Sequence, residues 1–115
     1  MNFETLLGYL LQKPGATEDF PFDNQTLVIK VGGKMFALVG IKNDPLRINL
    51  KCDPIKAEFL RQQHPAVLPG YHMNKRHWNT VVLDDTIADA EIFTMIDDSY
   101  DLVVQGLPKV RRPKV

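Results

Sequence analysis

The sequence predicts an α+β fold: a two-layer sandwich in which an antiparallel sheet carries helices on one face. Three observations predict it. Apolar residues recur at i, i+3 and i+4 spacing in separated stretches, the pattern of amphipathic helices. The strand-like runs are grouped between turn signals, so neighbouring strands join as hairpins and pair antiparallel. One run, Leu46 to Lys51, alternates strictly between apolar and polar residues, which is the signature of a sheet with one buried face. The predicted order is α-β-β-β-α-β-β-α.

Residues 2–12 read as the first helix, with Phe3, Leu6, Leu7, Leu10 and Leu11 on its apolar side. Asn2 can cap it, Lys13 suits its C-terminal dipole and Pro14-Gly15 stops it. Residues 16–25 read as a loop whose two phenylalanines, Phe20 and Phe22, cover a core edge. Residues 26–31 and 34–41 are strands joined by Gly32-Gly33, a two-residue turn that needs positive φ. In the strand at 46–51, Leu46, Ile48 and Leu50 should face the core. Arg47, Asn49 and Lys51 should form an outward row, open to water or to a partner.

Asp53-Pro54 opens the second helix, with Asp as N-cap and Pro at the first helical position. That helix runs to about Gln63 and is expected to bury Ile55, Phe59 and Leu60. Residues 65–70 read as a turn-rich connector. Residues 71–75 and 77–83 read as two strands with a tight turn near Asn74–Arg76. The last helix is expected from about Thr86–Ala88 to Gln105, with Thr86 and Asp89 resembling a capping box. Its apolar stripe is Ile92, Ile96, Tyr100, Val103 and Val104, and Gly106 with Pro108 ends it. Residues 1–108 form the expected domain, and 109–115 a basic, flexible tail.

With 115 residues, the chain suits one modest core. Its net charge is zero, but the charges are unevenly placed: residues 1–23 carry −3, 24–83 carry +6, 84–105 carry −7 and 106–115 carry +4. Met1 is followed by Asn2, Phe3 and Glu4 without a basic n-region, so no signal peptide is expected. Nor is a membrane span, since apolar runs fall far short of about 20 residues. The one cysteine, Cys52, cannot form an intramolecular disulfide, and a reducing cytoplasm is the expected location.

The most site-like stretch is Tyr71 to Leu83, Y-H-M-N-K-R-H-W-N-T-V-V-L. It holds His72 and His77, the single Trp78 and the adjacent pair Lys75-Arg76. Cations beside aromatics on a strand entry suit an anionic or stacked ligand. Trp78 reads first as a core or edge aromatic, and Lys75 and Arg76 first as solvated turn residues; a stacking platform and a phosphate clamp are the competing readings.

Several pieces together resemble the MmcQ/YjbR family of small bacterial proteins, over nearly the whole chain. They are the opening helix ending in Lys13-Pro14-Gly15, the Phe36-Ala37 strand, the Leu50-Lys51 strand end and Leu60-Arg61-Gln62-Gln63-His64. Most specific is H-x-N-K-x-H-W, formed by His72, Asn74, Lys75, His77 and Trp78, ahead of Val82-Leu83-Asp84. The resemblance implies a CyaY-like or secretion-chaperone-like α+β fold. It also implies DNA binding through a double-wing arrangement, and no settled catalytic role.

Enzymatic chemistry is not expected. The sequence lacks G-x-S-x-G, G-x-x-x-x-G-K-[ST] and G-x-G-x-x-G patterns, and Ser99, the only serine, reads as an exposed helix residue. His64, His72, His77 and Cys52 lack metal-ligand spacing, so no metal and no cofactor are expected. Cys52 reads as a buried spectator. Asp97, Asp98 and Asp101 lie off the apolar stripe and give an acidic outer face.

The leading expectation is a non-enzymatic DNA-binding domain. Its candidate contacts are Arg47, Lys51, His72, Asn74, Lys75, Arg76, His77 and Trp78. The other expectation is a protein-interaction or chaperone-like module whose partner, another protein or a second copy, meets an exposed sheet face or a dimer interface.

Overall fold

The computed structural model describes residues 1–70 and 73–114. Six strands form one antiparallel sheet in the order β1-β2-β3-β4-β6-β5. Along the chain the elements are α1 (Phe3–Leu11), β1 (Thr17–Asp19), β2 (Thr26–Val31), β3 (Lys34–Gly40), β4 (Arg47–Lys51), α2 (Pro54–Gln63), β5 (Val67–Pro69), β6 (Trp78–Val82) and α3 (Asp89–Gln105). A 3-10 turn, Lys109–Arg111, follows. The α+β fold with helices over one sheet face is therefore present. Among the described residues, no helix is long and apolar enough to cross a membrane.

The main core lies between the helices and one face of the sheet. Leu6 and Leu10 of α1 and Ile92, Ile96 and Val103 of α3 meet Leu27, Ile29, Val31, Val39, Ile48, Leu50 and Val81. The opposite face carries a second, smaller cluster: Val28, Leu38 and Trp78, with Met35 and Met73 packed on it. The expected open face is thus closed at its centre, and Asn49 in the outward row accepts a hydrogen bond from Thr80.

Local chemistry explains the turns and caps. Gly32 and Gly33 both have positive φ, +57° and +81°, as the two-residue hairpin between β2 and β3 requires. Asn2 caps α1 by accepting from the Thr5 amide at 2.8 Å. Asp53 caps α2 by accepting from the amides of Ile55 and Lys56.

Several expectations are corrected. The loop at 16–25 contains a short edge strand, β1. The strand placed at 71–75 is instead β5, inside the supposed connector at 65–70; Tyr71 and His72 lie outside the described residues. The Thr86–Asp89 capping box does not form: Ala88 is the N-cap, and the Thr86 hydroxyl donates to Asp84. Phe22 is 66% exposed and does not cover the core edge, whereas Phe20, 46% exposed, lines a cleft with Phe3, Leu7, Leu27 and Ile41 there. Ile55 and Phe59 are 82% and 58% exposed. In α2 the inward residues are Ala57 and Leu60. At about 100° per residue, Ile55 and Phe59 lie on the far side from Ala57. On the inward side, the Ala57 carbonyl accepts from the buried side-chain amide of Asn79 at 3.2 Å.

Ser99 is also buried, with 0% exposure. β3 carries an extra residue at Phe36, since Ile29 pairs with Ala37 and Lys30 with Met35. The β3–β4 register ends at Ala37–Leu50. The Phe36 carbonyl and the Lys51 amide are left over there, and the Ser99 hydroxyl joins them, donating to the first at 2.6 Å and accepting from the second at 2.9 Å.

The carboxylates of α3 are partly matched. Asp97 pairs with Lys13 and accepts from the Tyr9 hydroxyl at 2.7 Å, while Asp98 pairs with Lys56. The Tyr9 ring stacks on Phe93 at 4.0 Å. The hydrogen bond to Asp97 and then burial push the Tyr9 phenol up to about 12. An unfolded tyrosine ionises near about 10, so this contribution is intact below pH 10 and lost as pH rises toward 12. Tyr9→Phe should cost about 1 kcal/mol at neutral pH and flatten the alkaline decline in stability. Urea unfolding across that pH range measures both, and an unchanged decline would refute the assignment.

Candidate functional site

The candidate residues are positioned by three elements. β4 pairs with β6, and Lys51 lies directly opposite Trp78. This adjacency brings the outward row beside the Lys75-Arg76 segment, which the sequence alone does not show. Arg47 sits opposite Val82 at the other end of β4. It stands four residue steps of strand from Lys51, about 13 Å. It is exposed and lies on the same sheet face but apart from the turn.

The turn before β6 is fixed from two sides. Asn74 Oδ1 accepts from the Arg76 amide at 3.0 Å, and its carbonyl accepts from the His77 amide at 3.1 Å. Asn74, one of the candidate contacts, therefore uses its Oδ1 to build the turn. The His77 carbonyl accepts from the Cys52 amide at 2.8 Å, tying the turn to the end of β4. From α2, Arg61 donates through one guanidinium nitrogen to the Lys75 carbonyl and to Asn79 Oδ1, both at 3.0 Å. The backbone is held while the side chains of Lys75, Arg76 and His77 stay exposed.

Gly70 fixes the path into this segment. Its amide donates to the Trp78 carbonyl at 2.9 Å, and a Cβ there would stand 2.8 Å from the Trp78 Cβ. Only glycine lets the two backbones approach so closely. Met73 then packs on Trp78, Val28 and Leu38. Trp78 itself is 9% exposed, so its indole serves mainly this second cluster. His72 lies outside the described residues.

Two cations escaped the sequence reading as site residues. Arg61 appeared only as part of a family-like motif, yet it is the brace of the basic turn. Lys34, at the start of β3, joins Met35, Lys51 and Trp78 around a cleft of about 280 Å³ at the end of α3. A lysine beside a glycine turn carries no sequence signal; only the sheet register brings it near Lys51.

Among the described residues, no carboxylate lies within 4.0 Å of Lys34, Arg47, Lys51, Lys75 or Arg76; the ion pairs are Met1–Asp85, Lys13–Asp97, Lys56–Asp98 and His64–Glu91. The sheet-side cations are thus left for solvent or a ligand, while several on the helical side are matched. Burial pushes the Cys52 thiol up, opposite to the direction that activates a cysteine. Among the described residues, no three His, Cys, Asp or Glu side chains are grouped to hold a metal.

Comparison with known proteins gives a consistent answer. The YjbR family model matches residues 11–102. The uncharacterized protein YjbR of Escherichia coli K12 is 42% identical over 113 residues, covering 97% of this chain and 95% of that protein. The uncharacterized protein YbdF of Escherichia coli O157:H7 is 39% identical over 112 residues, covering 97% and 92%. Among solved structures, the Deinococcus radiodurans protein DR2400, with its DUF419 domain, superposes with a TM-score of 0.89 at 44% identity, covering 94% of this chain and 83% of that one. A Pseudomonas syringae protein gives 0.76 at 32% identity, covering 89% and 98%. With a matched model over most of its length and relatives of this identity, the chain belongs to the YjbR family.

Proposed function

We propose that this protein binds DNA without enzymatic activity, in the cytoplasm, contacting phosphates through the turn before β6 and the adjoining end of β4. The observation that carries this reading is a set of cations with no carboxylate within 4.0 Å: Lys51, opposite Trp78 at the end of β4, Arg47 farther along that strand, and Lys75 and Arg76 in the turn that leads into β6. The rigid turn holds Lys75 and Arg76 outward, so little side-chain order is needed beyond the last few bonds. His77 is exposed beside them and suits a stacking or shape contact, a role that burial withdraws from Trp78.

Salt titration is the test. If Arg47, Lys51, Lys75 and Arg76 each neutralise one phosphate, log K should fall against log salt with a slope of about −3.6 on duplex DNA. Removing Lys75 and Arg76 together, as alanines, should halve that slope to about −1.8 and weaken binding at low salt. Fluorescence anisotropy of labelled duplex and single-stranded DNA measures both. No binding at low salt, or an unchanged slope in the double variant, overturns the proposal.

A further inference from the structure

Two exposed apolar surfaces, one of them bordering the site just described through Arg76, have opposite electrostatic surroundings. On α2, Ile55 and Phe59 stand one turn apart and are 82% and 58% exposed. Ile55 shares a shallow cleft with Pro54, Glu58, Arg61 and Arg76, and Lys75 adjoins Arg76. Glu58 is the single carboxylate of that cleft, against two guanidinium groups. After β1, the segment Glu18-Asp19-Phe20-Pro21-Phe22-Asp23 presents Phe20 and Phe22, 46% and 66% exposed, between three carboxylates. Asp23 holds its loop by accepting from the amides of Gln25 and Thr26, both at 2.8 Å. The aromatic loop is thus presented in a defined shape.

We infer that these two surfaces are a matched pair, and that the acidic aromatic loop of one copy of this chain docks on the α2 face of a second copy. Phe20 and Phe22 lie against Ile55 and Phe59, and the loop carboxylates face Arg76 and Lys75. Apolar contacts of this kind, rimmed by opposite charges, are what specific association uses. The two halves cannot meet within one molecule. The loop follows β1, one edge of the sheet, and α2 packs beside β5 and β6 at the other edge. Five strand spacings, about 24 Å, separate them. The contact is therefore head-to-tail: each copy keeps a free loop at one end and a free α2 face at the other, so association continues beyond two copies. The small contact places it among weak interfaces, with self-association at roughly 0.1–1 mM.

Complementation tests this directly. The loop variant F20S/F22S and the α2 variant I55S/F59S alter side chains that are 46–82% exposed, and circular dichroism is to establish that both remain folded. In sedimentation velocity, the unaltered chain should show a sedimentation coefficient that rises with concentration, whereas each variant alone should stay monomeric. An equimolar mixture of the two should form a species that stops at two copies, because one intact loop meets one intact α2 face. Monomers at every concentration for the unaltered chain overturn the inference. So does a mixture that fails to associate, or a loop variant that still self-associates through α2. The outcome is separable from DNA binding, since neither variant removes Lys51, Lys75 or Arg76.

Discussion

Replacing Trp78 with alanine should cost about 3–5 kcal/mol, the range for emptying a large buried aromatic site. That is a substantial share of a total stability of about 5–15 kcal/mol. The loss arises on the sheet face that carries no helix. There the indole spans Val28 and Leu38, and Met73 closes over it. Without the ring, Met73 loses its platform, and the segment that presents Lys75 and Arg76 loses its anchor. Urea unfolding followed by circular dichroism should show a lower midpoint at similar slope. The variant lacking Lys75 and Arg76 should stay within about 0.5 kcal/mol of the unaltered protein, because both side chains are exposed. Trp78 is the only tryptophan, so its emission in that variant should remain that of a buried indole. A loss under about 1 kcal/mol for Trp78→Ala would mean that the second cluster is not a core.

Ser99→Ala should be nearly as damaging, at about 2–4 kcal/mol. The hydroxyl joins the Phe36 carbonyl to the Lys51 amide where β3 and β4 stop pairing. Alanine leaves a donor and an acceptor without partners in a site with 0% exposure, and each orphan costs about 1–3 kcal/mol. Hydrogen exchange gives a residue-level readout. The Lys51 amide should lose protection selectively, whereas the Ile48 and Leu50 amides keep theirs. Retained protection at Lys51 would sink the idea.

These two residues show where the sequence was legible. The α1 cap, the Gly32-Gly33 hairpin, the Asp53-Pro54 helix start and the alternation at 46–51 are short-range signals, each set by a few neighbouring residues. All appear in the structure. Ser99 could not be read, because its partners are a bulge in β3 and the end of β4, far away in sequence. Ile55 and Phe59 misled for the opposite reason. Hydrophobicity assigned them inward, but α2 is rotated so that Ala57 and Leu60 face the core, with the Ala57 carbonyl bonded to Asn79. In the same way, β5 was hidden because Val67–Pro69 is three residues long and gains its identity from pairing with β6.

The candidate site was legible in composition and not in construction. Lys75, Arg76 and His77 stand out as a cluster, and their exposure follows from a turn. That Asn74 shapes the turn, that Arg61 braces it from α2 and that Lys51 faces Trp78 are consequences of tertiary pairing. Strand order decides which cations are neighbours, and no periodicity encodes strand order.

The uneven placement of charge along a chain of zero net charge gives the molecule local poles rather than an overall sign. Cations without carboxylate neighbours lie on the sheet side, and most of the late acids ride on α3 and the segment leading into it. A dipole feels a uniform polyanion mainly as a torque, and its attraction fades faster with distance than that of a net cation. Screening over about 8 Å at physiological ionic strength shortens that reach further. Such a molecule is not drawn in from afar. If the proposed contact with DNA is made, the molecule would be turned only in the last few ångströms, and ionic strength would act chiefly on how long the contact lasts.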